Sequence, residues 1–192
     1  GGLACVNAML EPSLMELNVG RATSLERLEG YAEVLLSGYD VRAGEVVVII
    51  SNSGINAVPI EMAQLCKARG LHVAAITSLL HSRAEPSRHS SGTKLYEIAD
   101  TVIDNCGVHG DAALQVGTDG PRTGPTSTIA GVFIMQSLTA AIVERLYDSG
   151  FEPPVFVSAN RQDGGSRNAG WHAKYASRIR YLQEAVPGAR AT

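Results

Sequence analysis

46-VVVIISNSGINAVPIEMAQ-64 joins a run of β-branched residues to a helical pattern through Ser51, Asn52, Ser53 and Gly54. Val46 to Ile50 is continuously apolar, as expected of a strand covered on both faces. Ala57 to Arg69 repeats its apolar positions at helical spacing, and Gly70 closes the pattern. Asn56 is the N-cap candidate, and Pro59 falls in the first turn, where its missing donor costs little. A strand that ends in small polar residues at a helix start sets unpaired N–H groups and a positive dipole end beside them. Such a junction is an anion cradle that needs no Lys or Arg, and Gly54 lets the backbone approach a ligand closely. A simple capped turn is the other reading of the same residues. The stretch matches neither GxxxxGK[ST] nor GxGxxG, so it is not a nucleotide P-loop or a dinucleotide fingerprint.

Outward from this junction the chain alternates strand and helix patterns. Leu3 to Leu10 reads as a short buried strand. Thr23 and Glu26 fit a capping box for a helix over Ser24 to Ser37, with Gly38 at its C-cap. Leu71 to Ile76 is the next strand, ending at Thr77 and Ser78, and the polar loop 81-HSRAEPSRHSSG-92 follows. Leu95 to Ala99 is ambiguous, and Thr101 to Asp104 is a further strand. Thr126 to Tyr147 is the longest helical pattern. Phe151 to Val157, interrupted by Pro153 and Pro154, is an edge strand at best. A turn-rich 159-ANRQDGGSRN-168 precedes a last helix over Trp171 to Leu182.

Strands separated by helices imply βαβ units, a parallel sheet and right-handed crossovers, hence a doubly wound α/β domain. Ligands of such sheets bind beyond the carboxyl ends of the strands. Ser51–Gly54 and Thr77–Ser78 both lie at that edge.

The 192 residues suit one domain, 1–192, with 151–192 as its C-terminal loop and helix extension. Hydrophobic residues make up 45% and charged residues 18%, ordinary values for a globular chain. A formal charge of −3 and scattered basic residues give no footprint for nucleic acid or an anionic membrane. Cys5, Cys66 and Cys106 form no CxxC pair and suit a reducing, cytoplasmic setting. No apolar run approaches the length of a membrane span, and no signal peptide is expected. The chain starts without Met and almost inside the Leu3 segment, so the domain is expected to be N-terminally incomplete.

Ser-x-Ser-Gly after a strand, with a small polar residue two positions on, resembles the phosphate-binding loop of the sugar isomerase (SIS) domain. The resemblance continues through 70-GLHVAAITS-78, 87-SRHSSGTKLYEIADTVIDN-105, 152-EPP-154 and 160-NRQDGG-165. These look like a bacterial branch of SIS proteins related to phosphoheptose isomerases, and the likeness covers most of the chain. It implies a three-layer αβα sandwich, flavodoxin-like, with a mostly parallel five-stranded sheet, in a homodimer or homotetramer. Ser51, Asn52, Ser53, Gly54 and Asn56 map onto the positions that hold a sugar phosphate, with Thr77 and Ser78 nearby. SIS proteins have a first strand and another small-residue phosphate loop before the segment seen here at Leu3. Either the chain is truncated and lacks that strand, or half the usual site is missing.

The resemblance implies proton transfer between adjacent carbons of a phosphosugar, as in isomerases, or elimination of a lactyl ether, as in the related etherase. Neither chemistry calls for a metal or a cofactor. A non-catalytic phosphosugar sensor is the alternative. Phosphoheptose isomerases carry a catalytic His on the long late helix, but here that helix begins 124-GPTSTIAGVFIMQS-137 and has none, so their mechanism does not carry over.

Glu29 in 27-RLEGYAE-33 resembles a carboxylate region of the etherase branch and is the first candidate base; an exposed helix glutamate is the other reading. Glu61 is expected to complement the start of its helix. His89, beside Arg88 in the polar loop, is a candidate acid–base group or a surface histidine. His109 and Asp111 can pair through a His-x-Asp spacing. His72 reads as a strand residue and His172 as a helix residue. Five dispersed histidines argue against a metal site. Asn160 and Asp163 belong to an Asx-type turn or to a loop over a site.

Overall fold

The computed structural model describes residues 1–15, 17–162 and 164–183. The described chain forms two compact units: Glu11–Ile134, and Gly1–Leu10 together with the residues from Met135 onward.

The first unit is built on a parallel sheet of β1 (Val46–Ile50), β2 (His72–Thr77) and β3 (Thr101–Asp104), in that order. Val46 pairs with His72 and Ile50 with Ile76, and Thr77 pairs with Asp104, so the three strands end level with one another. The crossover from β1 to β2 is α3 (Ala57–Ala68), which buries Val58, Ile60, Met62, Ala63 and Cys66. Against it pack α1 (Val19–Glu26), α2 (Tyr31–Ser37) and α5 (Leu95–Ile98). Val47, Ile49, Val73, Ala75, Leu36 and Leu95 complete the core. The short α4 (Leu79–Ala84) follows β2, and a 3₁₀ turn (His109–Asp111) follows β3. A two-stranded antiparallel hairpin, β4 (Leu114–Gln115) and β5 (Arg122–Thr123), was not legible in the sequence.

The mixed α/β class is as expected, with three parallel strands among the described residues. Two elements of this unit differ. β1 is not covered on both faces: Val47 and Ile49 are buried, but Val46 is 64% and Ile50 53% exposed. The Ser24–Ser37 helix is two helices. Thr23 lies inside α1, whose N-cap is Asn18, accepting from the Arg21 N–H at 3.2 Å. The break falls at Glu29–Gly30, where Gly30 takes φ +84°, a left-handed conformation that glycine adopts at little cost.

In the second unit the expected Leu3–Leu10 strand reduces to one antiparallel bridge between Leu3 and Val155. Pro153 and Pro154 bring no backbone donors, so pairing stops there. The last helix is α7 (Gly164–Tyr175), starting well before Trp171, followed by a separate α8 (Arg180–Gln183). Gly164 is required by packing, since a Cβ there would meet the Ser158 carbonyl oxygen at 2.3 Å. Asp163 lies outside the described residues.

Between the two runs, α6 (Ser127–Asp148) is a 22-residue helix. By length and composition it suffices to cross a membrane, with a mean hydropathy of 1.5. This corrects the expectation that no segment reaches that threshold. Core helices of soluble proteins pass the same test, but only 6% of this window is buried.

Candidate functional site

The loops that leave β1, β2 and β3 meet at the carboxyl edge of the sheet. Ser51 continues the ladder through its N–H to the Ile76 carbonyl, and its hydroxyl accepts the Gly54 N–H at 3.2 Å. Gly54 has φ +60°, and a Cβ there would lie 3.1 Å from Thr77 Oγ1 and 3.2 Å from Leu95 Cβ. A glycine is therefore needed both for the turn and for the close approach. Asn52 accepts at Oδ1 from Asn105 Nδ2 at 2.9 Å, which ties the β1 loop to the β3 loop. Among the described residues the half-buried Ser53 hydroxyl has no hydrogen-bond partner. It remains free for a ligand.

Thr77 and Ser78 are fully buried behind this loop. Thr77 Oγ1 donates to the Asn52 carbonyl at 3.1 Å. Ser78 donates its hydroxyl to the Gly107 carbonyl at 2.6 Å and accepts the His81 N–H as N-cap of α4. Both hydroxyls hold the loop in shape rather than face outward. Asn56 occupies the N-cap position of α3, but its side chain makes no capping bond. Its Oδ1 accepts instead from Arg88 Nη1 at 3.1 Å. Beneath Gly54 the buried Ser82 hydroxyl has no hydrogen-bond partner among the described residues.

A second group of residues converges from three elements. Glu29 comes from the α1–α2 break, Glu61 from α3 and His89 from the loop between α4 and α5. His89 Nε2 lies 3.6 Å from Glu61 Oε1 and 4.0 Å from Glu29 Oε2. Gly30 donates its N–H to both Glu61 oxygens, at 2.8 and 2.9 Å. Glu61 therefore does not complement the start of α3, as the sequence suggested. Glu29 is exposed, as the alternative reading had it, but it lies in the turn between α1 and α2 rather than in a helix, and Ser90 donates to it from its hydroxyl at 2.8 Å and from its N–H at 2.7 Å. Those bonds, the hydroxyl's first, hold the Glu29 carboxyl below its usual range.

The imidazole is oriented by the same loop. The Ser91 N–H donates to His89 Nδ1 at 3.1 Å, and the Ser91 hydroxyl lies 2.7 Å from it. With Nδ1 accepting, a neutral ring carries its proton on Nε2, facing the two carboxylates. The ligand atoms of Glu29, Glu61 and His89 all lie within 4.8 Å, so the three are able to hold a metal ion. That would require the opposite tautomer, with the Nδ1 proton given to the Ser91 hydroxyl. The histidines, though dispersed in sequence, are not all without close partners: besides His89, His109 meets Glu85 at 2.7 Å. His109 does not pair with Asp111, which instead accepts from the N–H groups of Thr126 and Ser127 at the start of α6. His72 and His172 lie in β2 and α7, as read from the sequence.

Of the sequence candidates, the structure brings Glu29 and His89 together and sets Ser51–Gly54 at the strand ends, while the contacts of Glu61, Ser90, Ser91 and Asn105 were not anticipated. A signal for Glu61 was present in Gly30, which marks a backbone turned away from helix directly after Glu29.

The SIS domain model matches residues 1–78, which include Glu29, Glu61 and the loop but stop before His89. The chain is 43% identical over 185 residues to a UPF0309 protein of Shouchella clausii, covering 95% of this chain and 75% of that protein. It is 41% identical over 186 residues to one from Caldanaerobacter subterraneus subsp. tengcongensis, with 95% and 75% covered. Over 184 residues it is 40% identical to one from Listeria innocua, with 95% and 74% covered. The SIS domain is a phosphosugar-binding domain, and the matched residues include Ser51–Asn56. With about two in five residues shared along most of its length, the chain belongs to the UPF0309 family of SIS-domain proteins.

Proposed function

We propose that the chain is a sugar-phosphate isomerase that holds its ligand's phosphate at the Ser51–Asn56 loop and moves a proton with Glu29, Glu61 and His89. The observation that carries this reading is the approach of the His89 Nε2 to both carboxylates, at 3.6 and 4.0 Å. In an aldose–ketose exchange a carboxylate takes the proton from the carbon beside the carbonyl. The imidazole gives its Nε2 proton to the carbonyl oxygen, forming an enediol. The carboxylic acid then returns its proton to the former carbonyl carbon, and the imidazole recovers a proton from the hydroxyl of the neighbouring carbon, which becomes the new carbonyl with no net change in atoms or electrons. Each acid or base group in such a step contributes about 10²–10⁴-fold in rate. Glu29 is ionised and can accept a proton, although the hydrogen bonds from Ser90 that lower its pKa also make it a weaker base than an unperturbed glutamate.

Two carboxylates beside one imidazole also suit elimination of an ether from a phosphorylated amino sugar, which is the second reading. A phosphosugar sensor would use the same loop without turnover. The reading extends to a cytoplasmic homo-oligomer that needs no cofactor or metal. Exposed Ile129, Val132 and Phe133 on α6 support an oligomer formed through that helix.

A thermal-shift panel of hexose, heptose and amino-sugar phosphates tests binding, and NMR of the best ligand over time tests turnover. A melting temperature raised by a phosphosugar, followed by a new sugar signal, is expected. Binding with unchanged spectra leaves the sensor reading. No shift with any phosphosugar sinks both.

A further inference from the structure

The phosphate loop, Ser51-Asn52-Ser53-Gly54-Ile55-Asn56, contains no cation, yet one stands against it. Arg88 lies in the loop between α4 and α5. Its N–H donates to the Ile55 carbonyl at 2.8 Å, and its guanidinium Nη1 donates to Asn56 Oδ1 at 3.1 Å. The side chain is thereby held at the amino end of α3, a twelve-residue helix. A guanidinium at the positive end of a helix is electrostatically disfavoured unless an anion is present. Glu85, three residues before it, is turned toward His109 at 2.7 Å. Asn56 is itself 6% exposed, so its amide is a fixed, buried perch for the arginine.

We infer that Arg88 is the phosphate-reading residue of this site: its guanidinium donates to the phosphate monoester of the bound sugar and sets the preference for dianionic over neutral sugars. The planar fork of arginine matches two phosphate oxygens, which a serine hydroxyl or a single backbone N–H does not. The next two residues give the contact its consequence. His89 reaches Glu61 and Ser90 reaches Glu29, so three consecutive residues run from the phosphate to the acid–base groups. A ligand that engages Arg88 is therefore tied directly to the segment that carries His89. This inference rests on the phosphosugar reading above.

The test is calorimetric titration of the full chain and of Arg88→Ala and Arg88→Lys with the best sugar phosphate, its unphosphorylated sugar and inorganic phosphate. Arg88→Ala is expected to weaken the sugar phosphate and inorganic phosphate about 10- to 100-fold, the range of a charge-assisted hydrogen bond. It should leave the unphosphorylated sugar within about twofold, and Arg88→Lys should recover part of the loss. ³¹P NMR titration of the bound ligand supplies a readout that a purely structural arginine would not move. The second phosphate ionisation is expected to rise in Arg88→Ala relative to the unmodified chain. If the unmodified chain binds a sugar phosphate and Arg88→Ala binds it equally, or the ³¹P titration is unchanged, the inference is wrong and the phosphosugar reading stands. If the unmodified chain binds no sugar phosphate, both fall together.

Discussion

His89 Nε2 lies 3.6 Å from Glu61 Oε1, and Glu61 is kept there by two hydrogen bonds from the Gly30 N–H. The histidine comes from a surface loop and the glutamate from a core helix, yet both have fixed orientations. The His89 side chain is only 9% exposed and that of Glu61 14%. A loop histidine without a role would be expected to turn toward solvent. This one is held from behind by Ser91 and faces carboxylates in front.

Glu61→Gln and His89→Gln keep the size of each side chain and remove its acid–base capacity. Each is expected to lower turnover about 10²–10⁴-fold while changing phosphosugar affinity by no more than a few-fold. Steady-state rates and calorimetry on the same preparations check this. Full turnover in His89→Gln would remove the imidazole from the chemistry.

Ser90→Ala tests the clamp on Glu29. The folded pKa of Glu29 lies below its ordinary 4.5 because Ser90 donates to the carboxylate. A depressed carboxylate pKa contributes stability that is complete above the ordinary value and is lost as pH falls through the folded value. The melting temperature of the unmodified chain should therefore exceed that of Ser90→Ala above the ordinary value, and the gap should narrow as pH falls below it. A gap that widens in acid would contradict the assignment. The acid limb of the rate profile should move upward in pH in the variant, since the base would then protonate earlier.

The sheet and the turn at Ser51–Gly54 were legible because their signals are local. Five β-branched residues followed by Ser-Asn-Ser-Gly allow few readings, and Gly54 announces its left-handed turn in its identity. The Glu29–Glu61–His89 group was only partly legible. Its members stand far apart in sequence, and Glu61 follows Ile60 in a helix start where an acidic residue has a simpler electrostatic explanation. The two-helix break at Glu29–Gly30 was hidden for a different reason: the apolar spacing of Leu25, Leu28, Val34 and Leu35 persists through it. Periodicity reports which face is apolar and does not register one residue with positive φ. The strand expected at Leu3 was apolar enough, but its partner segment carries Pro153 and Pro154, and a ladder needs donors from both sides.

Asp111 holds the start of α6 by accepting from the N–H groups of both Thr126 and Ser127, each at 3.0 Å. Burial raises its pKa, but the bonds from Ser127 and Thr126 outweigh that and leave it below the usual aspartate range. Asp111→Ala should cost about 1 kcal/mol or somewhat more, as for other helix N-caps. Asp111→Asn should recover part of it. Urea unfolding followed by circular dichroism measures both, and equal stability of Asp111→Ala with the unmodified chain would exclude a capping role.

Gly54 and Gly30 both have positive φ, at +60° and +84°, but their surroundings differ. A methyl group at Gly30 meets nothing within 4 Å, so Gly30→Ala should cost only the backbone strain of a left-handed alanine, about 1–2 kcal/mol. A methyl group at Gly54 lies 3.1 Å from Thr77 Oγ1 and 3.2 Å from Leu95 Cβ, both on fully buried residues that have no room to retreat. Gly54→Ala therefore adds overpacking to the strain, for a total of roughly 2–4 kcal/mol. The displacement also falls on the phosphate loop, so ligand affinity should drop with stability in Gly54→Ala. In Gly30→Ala the N–H that holds Glu61 shifts instead, and turnover should fall while phosphosugar binding persists. Denaturant unfolding, calorimetry and rate measurements on the pair separate these outcomes. Loss of binding in Gly30→Ala, or its retention in Gly54→Ala, would mean that phosphate holding and proton transfer are not divided between the two regions as described.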